Sequence, residues 1–184
     1  RIVEIGCIEL NELIPTKNIF HYYLNPGRKV SEEAFNVHGY SDEFLSDKYK
    51  FSQIADNFLE FIKDKKIIIH NADFDIAHIN NELSIAGKEK ISNTNVVNTL
   101  DIARNKFPGS AISLDALCKR FRIDNSKREK HTALIDCELL AKVYINLIDQ
   151  KEPKLNFNKY NEIQKKVGNK KNGRIFKKNN STFR

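Results

Sequence analysis

The feature that most constrains the fold is a short apolar run, Ile67–Ile69, which leads through the polar segment 70–75 into a helix-forming stretch. A continuous run of β-branched residues is typical of a strand covered on both faces. Upstream, segments 2–10 and 18–24 have strand composition and flank a loop that contains Pro15, which predicts an antiparallel pair. Strands followed by alternating strands and helices indicate an α/β domain with a mixed sheet flanked by helices.

Helical periodicity predicts the remaining elements. Apolar residues spaced by three and four between positions 51 and 62 form the stripe of an amphipathic helix that packs on a core. Ser113 is placed to cap a later helix. The predicted helices are a short one that starts at residue 31 and ends by Gly39, then 51–62, 74–86, 100–107, 114–121 and 132–148, and residues 96–97 are a further short strand.

Charge divides the chain into two parts. Of its 184 residues, 151–184 carry a net charge of +9, whereas residues 1–150 carry −2. The apolar periodicity also ends near Gln150, so we expect one folded domain over 1–150 and a basic, disordered tail over 151–184. A mildly acidic body argues against a broad nucleic-acid-binding face, but it suits a cleft lined by carboxylates that attracts phosphate after binding divalent metal.

The cysteines and the apolar runs bear on the cellular compartment. Cys7, Cys118 and Cys137 form no C-x-x-C pair and lie among apolar neighbours, which predicts reduced core residues and not a disulfide or zinc framework. No apolar run approaches the about 20 residues of a membrane span, and no secretory signal is visible. We therefore expect a cytoplasmic protein.

Three side chains are candidates for chemistry. Asp75 falls in the first turn of the helix after the isoleucine run, where α/β folds place ligands, with Asn71 available to hydrogen-bond the turn or to cap the helix. The alternative is that Asp75 only complements the helix dipole. His131 and Asp136 lie about 140° apart on a helix, so His131 is expected on the preceding loop and Asp136 in the first turns. Together they suit a general base beside a metal ligand in phosphodiester hydrolysis, although His131 alone has the alternative of an ordinary surface histidine.

Four segments occur in a fixed order along the chain: A-F-N-V-H-G at 34–39, H-N-A-D-F-D at 70–75, S-L-D-A-L-C at 113–118 and H-T-A-L-I-D-C-E-L-L-A at 131–141. In this combination the sequence resembles the DEDDh family of 3′→5′ exonucleases, in particular its branch of proofreading epsilon subunits of bacterial DNA polymerase III. The resemblance runs from Arg1 to about Ile148.

The resemblance implies a ribonuclease H-like fold and a site in which four carboxylates hold two divalent metal ions, Mg²⁺ or Mn²⁺. Carried over by position, Asp75 and Asp136 match metal-binding aspartates, and His131 matches the general base that activates water. Around the terminal nucleotide of a DNA 3′ end the resemblance places three further residues: His38, Asn71 and Phe74. The remaining histidines are expected to be structural: His21, His70 and His78.

One part of the family pattern has no counterpart. The first motif, an Asp-x-Glu on the strand before the one that begins at Arg1, is absent, and Glu4 and Glu9 do not replace it because they lie within the next strand. In the family fold that strand is internal, so its loss would leave backbone groups of its neighbours unpaired. We expect these 184 residues alone to fold poorly and to be inactive, and their parent protein to be an exonuclease.

The tail carries separate expectations about partners. The segment from Glu152 to Phe157 loosely resembles the Q-x-x-L-x-F/L peptide that docks on the sliding clamp. The resemblance further implies that the C-terminal tail binds the alpha subunit of DNA polymerase III and folds on contact. The alternative is a solvated basic linker that touches DNA nonspecifically.

The leading functional hypothesis is a proofreading 3′→5′ exonuclease subunit. Two others remain open: a stand-alone DEDDh exonuclease that acts on RNA or oligonucleotides, and a noncatalytic adaptor between polymerase and sliding clamp.

Overall fold

The structure is a computed structural model that describes residues 1–126, 128 and 132–148. Its alternation of strands and helices confirms the predicted mixed α/β class. In that part of the chain, no helix is long and apolar enough to cross a membrane. The elements are β1 (Glu4–Asn11), β2 (Ile14–Tyr23), α1 (Glu32–His38), α2 (Asp42–Ser46), α3 (Phe51–Ile62), β3 (Ile67–Ile69), α4 (Ala72–Ile85), β4 (Val96–Asn98), α5 (Thr99–Lys106), α6 (Leu114–Phe121) and α7 (Ala133–Leu147).

Strands β1 and β2 form an antiparallel hairpin, as predicted, but its turn is tighter than expected. Glu12 and Leu13 form a two-residue loop and both have positive φ, 48° and 71°, the geometry that matches the twist of paired strands. The predicted seven-residue loop is therefore wrong, because β2 already begins at Ile14. Pro15 lies within β2, opposite Leu10 and next to a shift in the register, where a missing N–H is tolerated.

A second, parallel pair forms the other sheet, in which Ile67 pairs with Val96 and Ile69 with Asn98. The strand assignments at both places are confirmed. The three isoleucines of β3 are each half-buried. The expectation that both faces of this strand are fully covered is therefore wrong, because the cover is only partial. Within the described residues the four strands form two separate sheets, and β2 is the strand partner of β1.

Two apolar clusters hold the helices in place. The predicted stripe of α3 is buried and packs against Phe20 and Leu24 of the hairpin region and Leu83 of α4. A second cluster joins α5, α6 and α7 through Ala103, Leu117 and Val143. Full burial of one large apolar side chain contributes roughly 1.5–3 kcal/mol to the free energy of unfolding.

Helix boundaries follow capping chemistry. Ser31 and Ser113 accept hydrogen bonds from backbone N–H groups of α1 and α6, as their positions predict, and Gly39 ends α1 with φ of 77°. Helix α2 was not predicted, because its five residues are too few to show a period. All three cysteines are free thiols, with Cys118 buried and Cys7 and Cys137 half-buried.

Candidate active site

Asp75 lies in the first turn of α4, directly after the carboxyl end of β3. Burial raises the pKa of its carboxyl group, and the nearby His78 and the backbone N–H of Asp75 act in the opposite direction. Asp75 is half-buried there, and this position is compatible both with a cation ligand and with a simple complement to the helix dipole.

The predicted capping role of Asn71 is wrong. Asn71 occupies the N-cap position of α4 with φ of 68°, but its side chain makes no capping hydrogen bond. Asn98, at the end of β4, supplies the cap instead: its Oδ1 accepts from the N–H groups of Ala72 at 3.3 Å and Leu100 at 3.2 Å. One side chain thus caps both α4 and α5, because the parallel pairing of β3 and β4 brings the two helix starts to one edge.

Asp136 lies in the first turn of α7, where its spacing from His131 placed it. Its carboxylate accepts hydrogen bonds from Arg128, Nε to Oδ1 at 2.5 Å and Nη2 to Oδ2 at 2.9 Å. The same guanidinium donates to Asp115 Oδ2 at 2.5 Å. These carboxylates hold the pKa of Arg128 above its ordinary value, so a fixed positive charge lies at Asp136. His131 lies outside the described residues.

The thiol of Cys137 on α7 contacts β1, where its Sγ donates to the carbonyl oxygen of Gly6 at 3.2 Å. Its pKa is raised to about 12, mainly by burial, with smaller contributions from the charges of Cys7, Asp136, Glu4 and Asp75. Asp75 lies on α4 and Asp136 on α7, and 61 positions separate them along the chain.

His38 has an unusual hydrogen-bonding state. Its Nδ1 accepts the backbone N–H of Tyr40 at 3.0 Å, so the neutral ring carries its proton on Nε2. That Nε2 is buried and has no hydrogen-bond partner among the described residues. Burial lowers the pKa of the ring and so favours its neutral form, whereas the charge of Glu4 acts in the opposite direction. His38 also lines a cavity of about 120 Å³ together with Arg1, Arg28 and Lys29.

The other two predicted nucleotide contacts lie at the start of α4. The ring of Phe74 is 61% exposed and meets His78 edge-on, with 4.6 Å between ring centroids. An exposed aromatic ring offers a stacking surface for a nucleotide base. Asn71 is exposed immediately before it.

Sequence reasoning assigned no structural role to three residues that shape this region: Glu4, Tyr40 and Arg128. The carboxylate oxygens of Glu4 accept hydrogen bonds from His21, Tyr40 and the backbone of Ala133. Arg128 stands in a basic run that resembles a solvated loop. No local pattern distinguishes such residues, because their partners are distant in sequence. Among the described residues, no group of three or more histidine, cysteine or acidic side chains is placed to hold a metal ion.

Comparison with known proteins identifies the family. The family model described as Exonuclease matches residues 1–144. DNA polymerase III subunit epsilon of Rickettsia conorii is 53% identical over 151 residues, which cover 80% of this chain and 66% of the relative. The Escherichia coli K12 subunit is 48% identical over 149 residues, covering 79% and 61%. The chain thus spans less than two thirds of the length of these relatives.

Solved structures share the fold at low sequence identity. Exonuclease X in complex with 5′ overhanging duplex DNA has a TM-score of 0.61 at 21% identity, covering 82% of this chain and 84% of that one. The nuclease domain of 3′hExo, a DEDDh family member bound to rAMP, has a TM-score of 0.68 at 15% identity, covering 80% of each. The chain therefore belongs to the exonuclease family, with the ribonuclease H-like fold of DEDDh nuclease domains.

Proposed function

We propose that the protein is a 3′→5′ exonuclease that removes 3′-terminal nucleotides from DNA and proofreads for a bacterial replicative polymerase. The observation that carries the proposal is the position of Asp75 and Asp136 in the first turns of α4 and α7, in a chain whose residues 1–144 match the exonuclease family model. Relatives named DNA polymerase III subunit epsilon support the proofreading role.

The donor chemistry of the two aspartates fits divalent metal. Carboxylate oxygens are the ligands that Mg²⁺ and Mn²⁺ prefer. Asp136 already attracts the guanidinium of Arg128, so this position stabilises positive charge. The four-carboxylate site of the family requires two ligands beyond these. When bound, two such ions supply Lewis-acid stabilisation of the charge that develops on the scissile phosphate.

The protein's own groups then have distinct tasks. Asp75 and Asp136 bind the cations from two different helices, α4 and α7. His131 takes the proton from the attacking water, since an imidazole with a near-neutral pKa suits a general base. Hydrolysis from the 3′ end releases nucleoside 5′-monophosphates.

The terminal nucleotide has three proposed contacts. His38, which lines a cavity together with Arg1 and Arg28, contacts the nucleotide. The exposed ring of Phe74 stacks on the base, and the exposed Asn71 at the start of α4 binds the polar edge of that base.

The proposed partners extend beyond the nuclease domain. We propose that the tail binds the polymerase alpha subunit and that Glu152 to Phe157 contacts the sliding clamp, in the cytoplasm. The tail lies outside the described residues, and the names of the relatives support its role in a polymerase complex. Pull-down of the protein with and without residues 151–184 against each partner tests this assignment.

The nuclease assay uses the protein as its gene encodes it, including any residues upstream of Arg1. Single-stranded DNA and RNA oligonucleotides labelled at the 5′ end, and duplexes with matched or mismatched 3′ ends, are incubated with Mg²⁺, with Mn²⁺ or with a chelator. We expect metal-dependent shortening from the 3′ end, faster at mismatched than at matched termini. Asp75→Asn and Asp136→Asn should lower turnover at least about 100-fold.

Matched controls come from the same helices. Asp73→Asn changes an exposed carboxylate in the first turn of α4, and Glu138→Gln changes an exposed one on α7. Both should retain full activity. RNA cleaved faster than DNA would favour a stand-alone ribonuclease, and binding of both partners without any nuclease activity would favour a noncatalytic adaptor.

A further inference from the structure

The carboxylate of Glu4 accepts hydrogen bonds from three different parts of the chain. Its Oε1 receives His21 Nε2 of β2 at 2.8 Å. Its Oε2 receives the hydroxyl of Tyr40 at 2.8 Å and the backbone N–H of Ala133 at 2.9 Å. The side chain is 6% exposed, so these bonds replace its hydration. Both oxygens are thus occupied by protein donors.

One of these bonds holds the start of α7. Ala133 is the first residue of that helix, and Thr132 at its N-cap makes no side-chain capping bond. Glu4 therefore supplies the missing cap from β1, and its negative charge complements the helix dipole. Gly6, two residues further along β1, lies so close that an added Cβ would be 3.1 Å from Ala133. The first turn of α7, with Asp136, is thereby fixed against β1.

Another of these bonds leads to His38. The ring of Tyr40 stacks on the His38 imidazole, with 5.1 Å between centroids and 17° between planes. The Tyr40 backbone N–H also holds His38 Nδ1, which determines the tautomer. Burial raises the pKa of the Tyr40 hydroxyl and Glu4 raises it further, so the hydroxyl stays protonated as a donor.

We propose that Glu4 is a positioning residue that sets the distance between the Asp136 end of the site and the His38 end. Through Ala133 it orients the helix that carries Asp136, and through Tyr40 it orients the imidazole that meets the terminal nucleotide. The inference rests on the proposed nuclease function and assigns Glu4 no contact with metal or substrate.

The test compares three substitutions in the protein as its gene encodes it. Glu4→Ala removes all three bonds and should lower kcat by about 10- to 100-fold, the usual cost of misplacing reacting groups. Glu4→Gln should restore most of this loss, because its carbonyl can accept from Tyr40 and Ala133 while its NH₂ donates to the other tautomer of His21. Tyr40→Phe keeps the ring stacked on His38 and removes the hydroxyl that bonds to Glu4, so it should raise KM more than it lowers kcat.

Glu9→Gln is the matched control. Glu9 lies on the same strand and also accepts from several side chains, Thr16, Asn18 and Lys65, but within the described part of the chain it makes no hydrogen bond to α7 or Tyr40. Its substitution should leave kcat and KM unchanged. Three outcomes would each overturn the proposal. The activity lost in Glu4→Ala could match the fraction of that variant that is unfolded, or Glu4→Gln and Glu4→Ala could lose activity equally. The third outcome is a loss of Mn²⁺ affinity in Glu4→Gln.

A second readout separates this inference from the nuclease function. Amide hydrogen exchange at Ala133 should accelerate at least about 10-fold in Glu4→Ala, relative to Glu4→Gln and Glu9→Gln, whether or not the protein degrades nucleic acid. A wild-type protein without nuclease activity would overturn the proposed function, and unchanged exchange at Ala133 would overturn the positioning role of Glu4.

Discussion

The guanidinium of Arg128 forms two parallel hydrogen bonds with the carboxylate of Asp136, at 2.5 and 2.9 Å. A bidentate pair of this kind is stronger than a neutral hydrogen bond and fixes both groups in orientation. The side chain of Arg128 is 7% exposed, so water screens the pair weakly. Arg128 therefore holds the same oxygens that a divalent cation at Asp136 would use.

Removal of Arg128 should make the protein more dependent on metal. Without added cation, Arg128→Gln should lower the free energy of unfolding by about 2 kcal/mol, because charge-assisted hydrogen bonds are lost. With Mg²⁺ or Mn²⁺, the rise in Tm should be larger than in the wild type, since the cation no longer competes with the guanidinium. Thermal unfolding with and without metal measures both effects.

Arg104 provides the control for that experiment. It forms an exposed pair with Asp101 on α5, at 2.6 Å, and such pairs contribute little to stability. Arg104→Gln should leave both Tm values unchanged. A smaller metal-induced rise in Arg128→Gln than in the wild type would mean that Arg128 assists cation binding.

Because β1 and α7 are in close contact, we expect Gly6 not to tolerate a larger side chain. An added Cβ would lie 3.1 Å from both the carbonyl carbon and the Cβ of Ala133, closer than ordinary packing permits. Gly6→Ala should therefore destabilise the fold by about 1–3 kcal/mol, measured by urea unfolding. In the double variant with Ala133→Gly, part of the space is restored, so the two losses should be less than additive. Fully additive losses would show that α7 does not rest on Gly6.

Burial of His70 predicts a loss of stability in acid. Burial lowers the pKa of this ring, against a backbone hydrogen bond that raises it, and Nδ1 lies 2.9 Å from the hydroxyl of Thr99. The unfolded chain, with an ordinary histidine pKa of about 6.5, therefore takes up the proton at higher pH than the folded one. The free energy of unfolding should fall as the pH drops below about 6.5, and level off once the folded ring is protonated.

The variant His70→Asn keeps a donor near Thr99 and cannot titrate. Urea unfolding at pH 7.5 and 5.5 should show a smaller loss in this variant than in the wild type. The remaining loss includes a share from His38, whose pKa burial also lowers. An equal loss in the two proteins would exclude His70 as a source of the acid sensitivity.

Because Asn98 caps two helices, its substitution should lower the free energy of unfolding more than is usual for a half-buried asparagine. Asn98→Ala removes the acceptor for Ala72 and for Leu100, so it should cost about 2 kcal/mol, twice the usual loss of one cap. Ser113→Ala removes a single cap, from α6, and should cost about 1 kcal/mol. Chemical denaturation of both variants compares them directly. Equal losses would mean that Asn98 stabilises one helix start alone.

Much of the fold could be predicted because its signals are local. The α3 stripe, the isoleucine strand and the Ser113 cap each depend on residues within a few positions of one another. The hairpin loop was wrong because the left-handed backbone at Glu12 and Leu13 has no glycine or asparagine to indicate it. Likewise, Asn71 occupies the position of a helix cap, but the side chain of Asn98, 27 positions further along the chain, accepts the capping hydrogen bond.

The family, the α/β class and the candidates Asp75, His131 and Asp136 could be predicted from the chain alone, because motif order and helix period are properties of neighbouring residues. The groups around Asp75 and Asp136 depend on how distant elements pack together. Packing between distant elements creates the hydrogen bonds from Arg128 to Asp136 and from Tyr40 and Ala133 to Glu4. It also buries Nε2 of His38 without a hydrogen-bond partner among the described residues. Burial, charge and hydrogen bonding at a site depend on which groups the fold brings within a few ångströms, and spacing along the chain does not record those distances.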